Sequence, residues 1–98
     1  MTIEKNLADT QVTLTLSGRL DTTTAPQLEA ELKRSISGVQ TLIFDFAGIE
    51  YISSAGLRVL LAAQKVMNRQ GRMILRNVNE AVNEVFEITG FCDILTIE

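Results

Sequence analysis

The chain has no histidine, one cysteine and one proline among its 98 residues. Without imidazole, a Ser-His-Asp or Cys-His catalytic set is excluded, and so is a metal site built on histidine. A lysine base for a serine nucleophile fares little better. The helix expected to start near Ser54 carries only Lys65, eleven residues on, about 16 Å away at a rise of ~1.5 Å per residue. Lys5 and Lys33 lie elsewhere in the chain. Hydrolytic chemistry is therefore disfavoured. No catalytic residue, metal ligand or cofactor is assigned, and the expectation is a protein that is not an enzyme.

Other absences narrow the class further. Cys92 is alone, so no intrachain disulfide can form, which fits a reducing cytoplasm. As a lone thiol it reads as a small buried hydrophobe. The longest apolar runs have strand length and cannot span a bilayer. Residues Met1 to Asn6 contain no apolar segment of signal-peptide type. A cytoplasmic chain without membrane insertion is expected. Low-complexity tracts, linkers and internal repeats are missing, so residues 1–98 form one domain. A formal net charge of −3 argues against nucleic acid held by phosphate neutralisation. Arg58, Arg69, Arg72 and Arg76 leave room only for a local basic patch.

What is present is strand and helix in alternation. Residues 2–7 alternate weakly and suit an edge strand. From Gln11 to Ser17, Val12, Leu14 and Leu16 face one way and Thr13 and Thr15 the other, giving the second arm of a hairpin that Gly18 ends. Thr24 and Gln27 are spaced as a capping box, with Pro26 in the first turn. Leu28, Leu32 and Ile36 then mark a helical face that runs to Gly38. Val39 to Phe46 is an apolar run of the central-strand kind, followed by a turn at Ala47 to Glu50. A second and most apolar helix spans about Ser54 to Arg69. Arg72 to Arg76 is a further strand. Asn79 caps a third helix, Gly90 stops it in the left-handed region, and Ile94 to Ile97 closes the chain as a short strand. The order β-β-α-β-α-β-α-β predicts an α/β domain, with three main helices on a mixed sheet of about five strands.

The stretch from Tyr51 to Leu57 concentrates the chemistry. Ser53 and Ser54 fall where a strand gives way to a helix. The first N–H groups of a helix lack partners and carry the positive end of its dipole, so a serine there suits a cap and the site suits a phosphate. On pattern alone the Ser-Ser pair reads as a cap. Gly56 has two readings, removal of bulk beside Ser54 or close packing of the helix on the sheet. Asp21, Thr22 and Thr23 read as turn residues, and Tyr51 equally as core or interface.

Three stretches, in this element order, resemble the STAS family, the domain of sulfate transporters and bacterial anti-sigma factor antagonists. Gly18 to Ala25 is similar to that family's Gly-x-Leu-Asp segment before the first helix. Ser53-Ser54-Ala55-Gly56-Leu57 is similar to its Asp-Ser-Ser-Gly-Leu segment, and Ile88 to Phe91 sits where it has a Ser-Gly-Leu type turn. For a stand-alone domain the resemblance implies an anti-sigma factor antagonist; a monomer is the expectation, which the resemblance does not itself supply. Unphosphorylated, it would bind an anti-sigma factor that is also a serine kinase. Phosphorylated, it would be released, and a serine phosphatase would reset it. The acceptor position falls on Ser54, with Ser53 as the lesser alternative. The partner surface falls on Asp21, Thr22, Thr23, Ser53, Ser54, Gly56 and Arg58. The sequence departs from the family at Ser53, where aspartate is frequent, and at Ala55, where a second serine stands. The resemblance also admits an accessory subunit of a membrane transporter.

Overall fold

A computed structural model describes residues 1–98. Strands β1 (Thr2–Ala8) and β2 (Gln11–Leu20) form the hairpin, followed by α1 (Ala25–Ser35), β3 (Thr41–Ile52), α2 (Ser54–Gln70), β4 (Arg72–Arg76) and α3 (Glu80–Thr89). A 3-10 turn at Phe91–Asp93 comes last. The sheet runs β1-β2-β3-β4, antiparallel at the hairpin and parallel thereafter.

Strand alternation puts Val12, Leu14 and Leu16 beside Leu42, Phe44 and Phe46 and beside Met73 and Leu75. These residues join Leu28 and Leu32 of α1, Leu57, Leu60 and Met67 of α2, and Val82 and Phe86 of α3 in one core. All three helices therefore cover the same face of the sheet. Ile43 and Ile74, buried neighbours across β3 and β4, belong to the opposite face and stand outside that core.

The sheet has four strands, not about five. Gly90, at φ 81°, stops α3 as expected. The 3-10 turn then takes up Ile94 and Leu95, whose N–H groups both bond Phe91 C=O. Only the last residues are left to pair. They make a single parallel bridge between Leu75 and Ile97, with hydrogen bonds of 2.9 Å to either side of Leu75.

Two expected breaks are continuous strand. Gly18 does not end β2, and Ala47 to Glu50 does not turn the chain. The β2–β3 register slips by one residue between Thr15 and Ser17 and again between Gly18 and Arg19. Such bulges let β3 bend without stopping. The Ala47 N–H donates to the Asp45 carboxylate at 3.0 Å. Ile49 and Ile52 carry the buried pattern to the strand's end.

Other local expectations are also revised. Helix α1 ends at Ser35, short of Gly38: the Gln40 N–H that would reach back to Ile36 C=O bonds Thr10 C=O instead, and the Gln70 amide donates to the carbonyls of Ile36 and Val39 at 2.7 and 2.8 Å. That contact comes from α2 and leaves no local signal. Cys92 is exposed in the 3-10 turn rather than buried. The Asn79 cap forms as expected, accepting from Val82 N–H at 2.8 Å.

Candidate functional site

Strands β2 and β3 end side by side. Leu20 pairs with Ile52, and the Ser53 N–H donates to Leu20 C=O at 2.9 Å. The next residues of each strand, Asp21 to Thr24 and Ser53 to Ser54, are thereby brought to one end of the sheet. Parallel strands commonly present their binding loops at this carboxyl end.

The first loop is knotted around Asp21. One of its carboxylate oxygens accepts from the Thr23 hydroxyl at 2.7 Å, the Thr23 N–H at 3.0 Å and the Thr24 N–H at 3.2 Å. The Thr23 hydroxyl is the main cause of a carboxyl pKa lowered from 3.8 to about 2, and the two N–H donors act in the same direction. Donors to a carboxylate favour its charged form. The other carboxylate oxygen lies 3.5 Å from the Arg19 guanidinium, which stacks 4.3 Å from the Tyr51 ring centroid.

Thr24 does not make the expected capping box. Its hydroxyl accepts from Asp21 N–H at 2.8 Å and donates to Arg19 C=O at 2.7 Å, closing the loop instead of capping α1. Arg19 and Thr24 are the members that sequence reasoning missed. Arg19 sits beside Tyr51 in the β2–β3 register, a pairing that no local pattern marks. It requires knowing the two bulges. Tyr51, left open between core and interface, is 42% exposed under Arg19.

The second loop separates the two serines. Ser53 occupies the N-cap position with extended backbone, and its carbonyl accepts the first helical bond from Leu57. Its hydroxyl does not cap the helix. It is buried and has no hydrogen-bond partner in the protein. Ser54, the first residue of α2, is exposed. A 17-residue helix thus presents one accessible hydroxyl at its positive end.

Gly56 is buried one step behind. A Cβ there would lie 2.7 Å from Leu20 Cγ and 3.0 Å from Ile52 Cγ1. Its missing side chain lets α2 seat on the strand ends, which fixes where Ser54 emerges. Arg58 is exposed, and with Thr22, Pro26 and Ala55 it lines a cleft between α1 and α2. Thr22 and Thr23 are exposed on the Asp21 loop. The predicted residues therefore gather at one end of the molecule, with Gly56 beneath the surface.

No three His, Cys, Asp or Glu side chains are grouped as a metal site would need. No helix is long and apolar enough to cross a membrane. The chemistry on offer is a free hydroxyl, a fixed carboxylate and an unpaired guanidinium.

The STAS domain model matches residues 2–98. A protein of Bordetella bronchiseptica named "Putative anti-sigma factor antagonist BtrV" is 42% identical over 84 residues, covering 84% of this chain and 72% of that protein. The anti-sigma-B factor antagonist of Listeria monocytogenes is 30% identical over 101 residues, covering 100% of this chain and 89% of its own. The fold is also similar to that of SpoIIAA, an anti-sigma factor antagonist, in its unphosphorylated form. There the TM-score is 0.84 and the identity 24%, over 99% of this chain and 88% of that one.

Proposed function

The chain belongs to the STAS domain family, and from that premise we propose that it is an anti-sigma factor antagonist switched by phosphorylation of Ser54. Support for the antagonist role comes from the two curated relatives at 42% and 30% identity. SpoIIAA has been described in both unphosphorylated and phosphorylated forms, which supports a covalent switch in this fold.

The observation that carries the choice of residue is the contrast between the two serines. Ser54 is exposed at the helix start, whereas the Ser53 hydroxyl is buried. A kinase needs the former. The Ser54 oxygen attacks the γ-phosphorus of ATP, loses its proton, and ADP leaves. The product carries roughly −1.5 to −2 in charge at neutral pH. Near the positive end of α2 that charge is tolerated, by about 0.3–1 kcal/mol when exposed. The scaffold stays as it is. The cost falls on the docked protein, which meets bulk, a dianion and the already ionised Asp21.

In this reading the chain acts by binding, as a monomer in the cytoplasm. Its partners are an anti-sigma factor with serine kinase activity and a serine phosphatase that resets it. Asp21, Thr22, Thr23, Ser54 and Arg58 form the contact surface, with Ser53 and Gly56 shaping it from below. An acceptor serine favours this switch over the alternative of a transporter accessory subunit, which needs none.

The test is incubation with the anti-sigma factor kinase and ATP, followed by mass spectrometric mapping and binding measurements. Phosphate should appear on Ser54. Ser54→Ala should bind and resist labelling. Ser54→Asp should lose the partner with little change in thermal midpoint. Binding of Ser54→Asp as tight as wild type would sink the mechanism.

A further inference from the structure

Helices α1 and α2 enclose a groove with an apolar floor of Leu32, Ile36, Val59, Ala62, Ala63 and Val66. At its far end it runs into the cleft beside Ser54, since Glu29 and Val59 border both. The charged residues that line the groove are Glu29 and Lys33 of α1, and the exposed face of α2 beside it is basic. Arg58, Lys65 and Arg69 are spaced by seven and four residues, so they share one exposed stripe, and Ser54 heads it one turn before Arg58. Helix α2 carries no acidic residue, in a chain of net charge −3. None of its three cations has an ion-pair partner, whereas Lys33, Arg34, Arg72 and Arg76 all do. The acid bordering the groove, Glu29, is paired with Lys33 at 3.7 Å.

We propose that this groove receives an amphipathic helix of the anti-sigma factor, with its apolar face on the floor and acidic side chains along Arg58, Lys65 and Arg69. The inference rests on the antagonist function proposed above and adds the chemistry of the partner. Residues Ala55 to Val66 span about 16 Å, or about three turns. That length suits a helix anchored at i, i+3 or i+4, and i+7. Charge selects the occupant, because a basic helix would meet three unneutralised cations. A second copy offers α3, with Glu80, Glu84 and Glu87, but Val82 and Phe86 are already buried in its own core, which leaves Ile88 as the one large apolar side chain that α3 fully exposes.

The same arrangement explains how phosphorylation reaches the partner. A phosphoryl group on Ser54 stands one turn from Arg58, at i,i+4 spacing. With its charge of roughly −2 it leaves the stripe with about one net positive charge. The acidic helix then loses its attraction and meets an anion at the groove mouth.

The test uses the full chain and the anti-sigma factor kinase, with Kd measured by calorimetry at low and high salt. The variants are Arg58→Glu/Lys65→Glu/Arg69→Glu and Ala62→Tyr, which fills the groove. All four positions are exposed, so thermal midpoints serve as the folding control. Each variant should weaken binding at least about tenfold. Wild-type affinity should fall with salt, and the triple variant should lose that dependence. If both variants, folded, bind as wild type while Ser54→Asp does not, the groove is wrong and the switch stands. If the wild-type chain ignores the anti-sigma factor, the antagonist reading itself fails. A dimer of this chain that the triple variant abolishes would assign the groove to a second copy and overturn the proposal.

Discussion

Gly56 rests on Leu20 so closely that a methyl group added to it would lie 2.7 Å from the Leu20 Cγ. Leu20 is fully buried at the end of β2. Gly56→Ala would gain helix propensity of about 1 kcal/mol. It would also overpack the seat of α2, at a cost of about 1–3 kcal/mol. The expected net effect is a loss of stability. In a chain of this length the thermal midpoint should fall by several degrees, at about 4–8 °C per kcal/mol. Gly56→Val should fall further. A midpoint at or above wild type would mean that the helix start is not clamped by Leu20.

The Gly56 contact also shows what the sequence could and could not reveal. The helix start after Ser53 was legible because the extended backbone of an N-cap residue is a local choice, although the Ser53 hydroxyl makes no cap bond. The Asn79 cap and the left-handed Gly90 were legible for the same reason. Features decided by distant neighbours were not. The Gln70 amide at the far end of α2 bonds the two carbonyls that follow α1. Bulges opposite Ser17 and Arg19 carry β3 through Ala47 and Gly48, which read as a turn. The fifth strand looked sound in composition and yielded to a 3-10 turn that used up its first residues. At the site, Asp21 was legible and its fixing by Thr24 and Arg19 was not, because Thr24 has two uses of similar worth and only the fold selects one.

Ser53 gives a prediction that separates cap position from cap chemistry. An N-cap serine that bonds the helix loses about 1 kcal/mol on change to alanine. The Ser53 hydroxyl bonds nothing in the protein and is buried. Removing it deletes an unsatisfied polar group, which costs about 1–3 kcal/mol to bury. Ser53→Ala should therefore be as stable as wild type or more stable by about 1 kcal/mol in urea unfolding, and should still be labelled on Ser54. A loss of about 1 kcal/mol would restore the ordinary capping role.

Asn79 makes the converse case. Its side chain accepts from Val82 N–H and donates to Ile49 C=O, both at 2.8 Å, so it caps α3 and ties it to β3. Asn79→Ala removes both bonds and leaves the Ile49 carbonyl without that donor. A loss of about 1–2 kcal/mol is expected by chemical denaturation. Asn79→Asp keeps the acceptor but not the donor, and should fall between the two. Equal stability of Asn79→Asp and Asn79→Ala would show that the tie to Ile49 carries the effect and the cap does not.

Asp21 sets a pH dependence whose sign follows from its lowered pKa. In the unfolded chain the carboxyl titrates near 3.8, and in the folded loop near 2, chiefly through the Thr23 hydroxyl. Below 3.8 the unfolded state takes up protons that the folded loop still refuses. The loop's contribution is therefore complete above about pH 4, declines as pH falls, and is gone below about 2. Asp21→Asn cannot ionise and lacks this dependence. The gap in thermal midpoint between wild type and Asp21→Asn should be widest near neutral pH and close between pH 4 and pH 2. Arg19→Gln should leave most of the gap in place, because the largest cause is a hydroxyl and not the guanidinium. A gap that stays constant down to pH 2 would mean that the carboxylate is not what holds Thr23 and Thr24 in the turn beside Ser54.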